Sequence, residues 1–375
     1  MDGDIDSPRR RRIRQQKPTT SDSSDGEDAS AAAGVSQSQR YQRKRREPTL
    51  VCTSESVKLL VTLLSCLASP GKKEQRIRCD IDTHGVLFTA HSKGKSLQIK
   101  TSLSSELFET YKLSIERDTG EENQDGDEDD DDEMDLQLSF ALNLNTLIEC
   151  LSIFGPGALA TTSLRMSYLP LTASLLLVVE DSGVICECAM QVLEHDGNDI
   201  GELEFESAFE NSAVVGRCIM QSEPLHDAFA ELYDLPSAAS VTIAMFGKED
   251  PLGRRAFLNG ATATSSSLPR KCLSLSATSE TGSCEIEFGV TSKAFIEFFC
   301  EPPSSSDDED GSGKCAATFH VAVLQQAFKA LAHSNETFLR MNADGFLSVQ
   351  HMVESGKGDK AFVDALISPE DASVQ

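Results

Sequence analysis

A short apolar helix followed by several strands joined through tight turns recurs four times along this 375-residue chain, and that repetition constrains its fold more than any other feature. The clearest copy lies between Phe140 and Val192. Its apolar spacing predicts a strand over Phe140–Leu142, a helix over Asn143–Phe154, and strands over Leu164–Tyr168, Leu175–Val179 and Val184–Met190. The chain is long enough for two domains of ordinary size, each able to bury its own core.

Upstream, a helix is predicted over Ser54–Ser69, with Val57, Leu60, Val61, Leu64 and Leu67 on one face and Pro70-Gly71 as the stop. Strands over 76–81, 86–90, 97–103 and 111–115 follow, around turns at His84-Gly85 and Lys93-Gly94. Downstream, a strand over 214–220 leads to a helix over Ser222–Leu235, N-capped by Ser222, and to strands over 241–246, 273–277 and 285–290. The last unit has strands over 295–300 and 316–319, a helix over 321–334, and strands over 338–342, 346–352 and 362–367.

Helices alternating with single strands would indicate a doubly wound parallel sheet. Here each helix precedes several strands, which implies an α+β fold of antiparallel sheets with helices on one face. The count predicts two pseudo-equivalent domains of two helices each, residues 48–193 and 213–368, joined by an extended connector over 194–212. Interruptions fall between predicted elements: an acidic insertion at 117–135, a loop at 248–271 and an acidic, Ser-rich stretch at 302–313. Residues 1–47 and 369–375 read as tails, the first too poor in large apolar side chains to offset the entropy of folding.

A formal charge of −26 argues against a protein that coats nucleic acid through charge alone. Glu121–Asp135 holds eleven acids and Asp307–Asp310 four more; without them the charge is about −11, which leaves room for a local basic patch. The N-terminal tail carries two basic clusters, Arg9, Arg10, Arg11 and Arg12, then Arg43, Lys44, Arg45 and Arg46, that fit a nuclear-import signal. Ser24, with an acid three residues on, and the Ser-Gln steps at Ser36 and Ser38 are candidate phosphorylation sites. The 11 cysteines form no CxxC pair and no signal sequence is read ahead of them, the pattern of reduced thiols in an intracellular protein. The longest apolar run, Leu59–Ala68, is too short to span a bilayer, so no membrane association is expected.

No GxGxxG, phosphate-binding loop, HExxH or GxSxG motif is present, so neither a cofactor nor a resident metal is expected. A nuclease, for example a 3′–5′ DNA exonuclease, is the catalytic alternative, because two-metal phosphodiester hydrolysis needs several converging carboxylates. Asp80, Asp82, Asp135 and Glu149 are available but lie on no recognisable constellation. Cys186 and Cys188 share one strand face, placed either for metal or redox chemistry or as two small apolar residues in a core.

Four segments carry a specific resemblance: LNTLIECLSIFG (Leu144–Gly155) with LRMSY (Leu164–Tyr168), IMQSEPLHDAFAEL (Ile219–Leu232) and GFLSVQHM (Gly345–Met352). In that order and spacing the chain resembles the Rad-one subunits of the nine-one-one DNA-damage checkpoint clamp, relatives of proliferating cell nuclear antigen in the sliding-clamp superfamily. The resemblance implies a non-catalytic subunit of a heterotrimeric ring, completed by proteins like Rad-nine and Hus-one and placed by a clamp loader on double-stranded DNA or a primer-template junction. A homotrimeric replication clamp is the alternative within this architecture. In such rings the helices line the channel and need only sequence-independent phosphate contacts. Lys58, Lys72, Lys73 and Lys329 are the candidate DNA-facing bases, while the second and third predicted helices carry no Lys or Arg. Ring closure through strand edges makes Val184, Ile185, Cys186 and Cys188, and Glu285, Ile286 and Phe288, the candidate subunit-interface residues.

Overall fold

Alternation of buried and exposed side chains sets the strands. Along Ser174–Asp181, Leu175, Leu177 and Val179 are buried while Leu176 and Val178 on the opposite face are only half-buried. The computed structural model describes residues 50–92, 94, 96–114, 137–193, 200–247, 271–301, 313–355 and 358–370, all within the unit Glu47–Gln375.

The first half runs β1 (Leu50–Ser54), α1 (Lys58–Leu67), β2 (Arg76–Ile81), β3 (Gly85–His91), β4 (Leu97–Ser104), β5 (Thr110–Leu113), β6 (Leu138–Asn143), α2 (Leu144–Leu151), β7 (Ser163–Leu169), β8 (Ser174–Asp181) and β9 (Val184–Gln191). After α3 (Ile200–Glu210), the second half repeats the order: β10 (Val214–Gln221), α4 (Ser222–Tyr233), β11 (Ser240–Phe246), β12 (Lys271–Ser279), β13 (Gly282–Gly289), β14 (Phe295–Cys300), β15 (Lys314–His320), α5 (Val321–Ala327), β16 (Glu336–Asn342), β17 (Leu347–Glu354) and β18 (Lys360–Ile367).

All pairings among these strands are antiparallel. They form a five-stranded sheet β5-β1-β7-β8-β9, a four-stranded sheet β13-β12-β11-β15 and a nine-stranded sheet β14-β10-β16-β17-β18-β4-β3-β2-β6. The order β5-β1-β7-β8-β9 is repeated as β14-β10-β16-β17-β18, and β6-β2-β3-β4 as β15-β11-β12-β13. The halves meet where β18 pairs with β4, from Phe362↔Ser102 to Ile367↔Leu97, so the nine-stranded sheet is a seam between two copies of one plan. Ala361, Val363, Ala365 and Ile367 of β18 are buried on the core side of that seam, under α1 and α5.

The helices are shorter than their apolar spacing predicts, with physical causes at the ends. Asn143 precedes α2 rather than starting it, its Oδ1 accepting from Thr146 N–H at 3.1 Å as the N-cap. The expected helix over 321–334 is α-helical only to Ala327 and continues as a 3₁₀ turn over Phe328–His333. Ser222 is not an N-cap. Gln221 occupies that position, and the buried Ser222 hydroxyl instead bonds Thr337 Oγ1 and Ser334 Oγ, each at 2.8 Å. The predicted strand over 111–115 ends at Leu113, and Ile115 lies outside the described residues.

The connector, expected to be extended over its whole length, contains α3. Phe205 and Phe209, one turn apart, bury against Phe346 in a cluster separate from the main core, with Leu366 packed beside them. Leu366 points away from the buried side of β18, so α3 lies on the face of the nine-stranded sheet opposite to α1 and α5. Asn342 Nδ2 caps the end of α3 by donating to the Phe209 carbonyl at 3.2 Å, the Arg340 guanidinium sits 5.5 Å over the Phe209 ring, and Lys100 pairs with Glu206.

Candidate subunit and nucleic-acid interfaces

Among the described residues, two strand edges are left free where the seam plan would continue: β9 ends the five-stranded sheet and β13 ends the four-stranded sheet. On β9, Val184 and Ile185 are 58% and 66% exposed, unusual for β-branched apolar side chains, while Cys186 and Cys188 are half-buried toward the helices. On β13, Phe288 is buried and Ile286 half-buried, with Glu285 and Glu287 exposed on the opposite face. Lys271 of β12 pairs with both acids, at 3.4 Å from Glu285 and closer to Glu287. Ser274 Oγ donates to Glu285 at 2.9 Å, and that bond with the Lys271 charge holds the Glu285 carboxyl below its ordinary pKa.

The Cys186 and Cys188 sulfurs lie 3.8 Å apart. The Cys186 thiol is pushed up chiefly by its bond to Cys188, and the Cys188 thiol chiefly by burial, so both stay protonated and weakly nucleophilic. Among the described residues no group of three or more His, Cys, Asp or Glu is arranged to hold a metal.

The carboxylates considered for hydrolysis do not converge. Asp80 is nearly buried and bonded to Arg78 Nε at 2.9 Å. Asp82 Oδ1 accepts from the backbone of His84 at 2.7 Å and Gly85 at 2.9 Å, which closes the β2–β3 turn. Glu149 is exposed on α2, and Asp135 lies outside the described residues.

The four candidate lysines differ in what they do for the fold. Lys58 is the first residue of α1, where a positive charge opposes the helix dipole at a cost of about 0.3–1 kcal/mol; it is exposed and makes no ion pair among the described residues. Lys72 is half-buried and Lys73 exposed in the loop after α1, which Asn145 fixes by donating to the Lys72 carbonyl at 3.1 Å. Lys329 has an intramolecular task. Its ammonium donates to the carbonyls of Ser65 at 2.7 Å and Ala68 at 3.2 Å, capping an α1 that has no basic residue in its own last turn. Gln75 Nε2 serves the Leu67 carbonyl at 2.8 Å in the same way. Lys329→Met is therefore expected to lower stability by about 0.5–1 kcal/mol in a urea titration, and Lys58→Met to leave it unchanged or raise it slightly.

The exposed face of α4 carries Glu223, Asp227 and Glu231, four residues apart, beside His226. With no Lys or Arg on α2, α4 or α5, the helix layer of this chain is net acidic outside Lys58 and Lys329. The basic clusters at Arg9–Arg12 and Arg43–Arg46 and the serines Ser24, Ser36 and Ser38 lie outside the described residues.

Comparison with known proteins agrees with this architecture. PCNA from Thermococcus kodakaraensis superposes with a TM-score of 0.58, at 13% identity, over 86% of this chain and 100% of that one. The human protein named cell cycle checkpoint protein RAD1 is 24% identical over 338 residues, 89% of this chain and 96% of its own length, and the mouse protein of the same name is 23% identical over the same span. The family described as repair protein Rad1/Rec1/Rad17 matches residues 49–353, from β1 into β17. The chain has the sliding-clamp fold and belongs to the Rad1/Rec1/Rad17 repair protein family.

Proposed function

We propose that this chain is a non-catalytic subunit of a heterotrimeric ring that encircles duplex DNA and serves as a platform in DNA-damage checkpoint signalling and repair. The observation that carries the reading is the β18–β4 seam. It joins two copies of one plan edge to edge, and the strands in the equivalent positions, β9 and β13, are free and eight residues long, as β18 and β4 are. Pairing β9 with one neighbour and β13 with another repeats the seam around a circle and satisfies backbone groups that otherwise face solvent. Proteins like Rad-nine and Hus-one are the proposed neighbours, with a clamp loader placing the ring in the nucleus, where the basic tail clusters would direct the chain.

A closed ring holds DNA by topology, so a subunit whose helix layer is acidic is tolerated if its neighbours supply most phosphate contacts. Lys58, with no structural task, is the proposed contact from this chain, and Lys72 and Lys73 flank it beyond the far end of α1.

The test is mass measurement after co-expression with two candidate clamp subunits. One copy of each chain in a single complex supports the reading, and a stable trimer of this chain alone overturns it. Ile185→Glu gives the residue-level check. Because Ile185 is 66% exposed, the substitution should change monomer stability by less than about 0.5 kcal/mol, yet weaken association at that edge at least tenfold, about 1.4 kcal/mol.

A further inference from the structure

The seam inside the chain provides a register for the two free edges. In the last core-facing pair of each equivalent ladder, Tyr168 faces Leu175 and Met341 faces Leu347. Leu175 then faces Met190, and Leu347 faces Ile367, so Met190 corresponds to Ile367 and Glu187 to Asp364. On the other side, β6 ends at Asn143 and β15 at His320, each directly before its helix. Following the ladders inward, the row Ala141–Arg78–Thr89–Lys100 corresponds to Thr318–Thr242–Ser276–Glu285. Glu285 therefore stands where Lys100 stands.

Inside the chain, Asp364 faces Lys100 directly across the seam, an acid in register with a base, while Lys100 forms its ion pair with Glu206 and Asp364 accepts from Gln350 Nε2 at 2.8 Å. If β9 of one copy paired with β13 of a second copy in that register, Glu187 would face Glu285 and Ile185 would face Glu287. The nearby charges do not relieve this. Glu180 of β8 lies beside Glu187, opposite Ile185, while Arg165 is two strands away and Lys271 is already shared by Glu285 and Glu287.

We propose that Glu187 and Glu285 make the two free edges of this chain repel each other, and that each edge selects a partner strand bearing lysine or arginine at the facing position. The inference rests on the clamp-subunit reading and adds to it the chemistry of the partners. Like charges placed directly opposite disfavour a strand pair and opposite charges favour it, so one residue on each edge separates self from partner.

Charge reversal tests this through a closed cycle. Glu187→Lys and Glu285→Lys, made singly, each place lysine opposite glutamate between two copies; the double variant places lysine opposite lysine. Sedimentation velocity of the four purified full-length chains across a concentration series, at low salt, should show the wild type and the double variant weakest in self-association. Each single variant should associate about tenfold more tightly, with the gain lost at high salt. Each single variant should also bind more weakly than the wild type to one of the two candidate partner subunits. Tight self-association of the wild type, or single and double variants that behave alike, would overturn the proposal. Single and double variants that behave alike, with a wild type that is monomeric alone and still assembles with two partner subunits, would sink the charge rule alone; a stable wild-type trimer would overturn the ring reading with it.

Discussion

Gly85→Ala is expected to lower the unfolding free energy by more than about 3 kcal/mol, a fall in melting temperature of roughly 6 °C or more. Gly85 opens β3 with φ near +153°, and a Cβ placed there would lie 2.0 Å from the Leu103 carbonyl oxygen of β4. That oxygen belongs to the backbone of a paired strand and cannot rotate away. The turn is also held from outside, since the Tyr111 hydroxyl lies 2.7 Å from the carbonyls of both Asp82 and Gly85. The clash therefore moves β4, and β4 carries the seam to β18. Gly71, with φ near +74° and open space around its Cβ direction, is the control: Gly71→Ala should cost only about 1 kcal/mol, the price of backbone conformation alone. Equal losses from the two substitutions, measured by urea unfolding, would show that the contact with Leu103 is not the cause.

Acidification from pH 7 to pH 5 is expected to remove about 2 kcal/mol of stability through His351 alone. The side chain is fully buried, Nε2–H donates to the Ala327 carbonyl at 3.2 Å, and Nδ1 accepts from the Thr337 hydroxyl at 3.0 Å. That hydroxyl in turn accepts from Ser222, which accepts from Ser334, so one proton direction runs through the whole chain of groups. A proton on Nδ1 would reverse the Thr337 bond and leave a buried charge. Burial accordingly lowers the imidazole pKa to about 4, from about 6.5 in an unfolded chain. Because the folded value is the lower one, the unfolded state binds more protons between those limits. The stability is fully present above about pH 6.5 and is lost as pH falls toward about 4. His351→Asn should be less stable at pH 7, since it leaves the Ala327 carbonyl unpaired, but its loss between pH 7 and pH 5 should be smaller than the wild type's by about 2 kcal/mol. Parallel losses would place the acid sensitivity elsewhere.

Local pattern was enough to find most elements, because each strand and helix buries one face of a regular repeat. Leu175, Leu177 and Val179 announce β8, and Leu60, Val61, Leu64 and Leu67 announce α1. The connector helix was hidden for the corresponding reason. Its glutamates and Gly201 make no apolar stripe, and the one usable signal was Phe205 and Phe209 at helical spacing, which bury against Phe346, a residue far along the chain. The capping role of Lys329 was equally hidden, since the carbonyls it caps belong to a helix that precedes it by more than 250 positions. As to the candidate interfaces, the residues of β9 and β13 were readable from strand period and resemblance. The opposition of Glu187 and Glu285 was not, because it depends on a register that only the β18–β4 pairing defines.

That pairing also bears on how the proposed ring would come apart. Its two strands are held in one polypeptide, so when they separate they remain at high effective concentration and close again quickly. A junction between different chains has no covalent tether, and when one parts its edges are held near each other only by the remaining non-covalent junctions. In the proposed ring, opening to admit DNA gains nothing from parting the internal joint, whatever the number of hydrogen bonds there. Opening belongs at the joints between chains, and the chain's covalent continuity alone decides which joints are gates and which are hinges that never open.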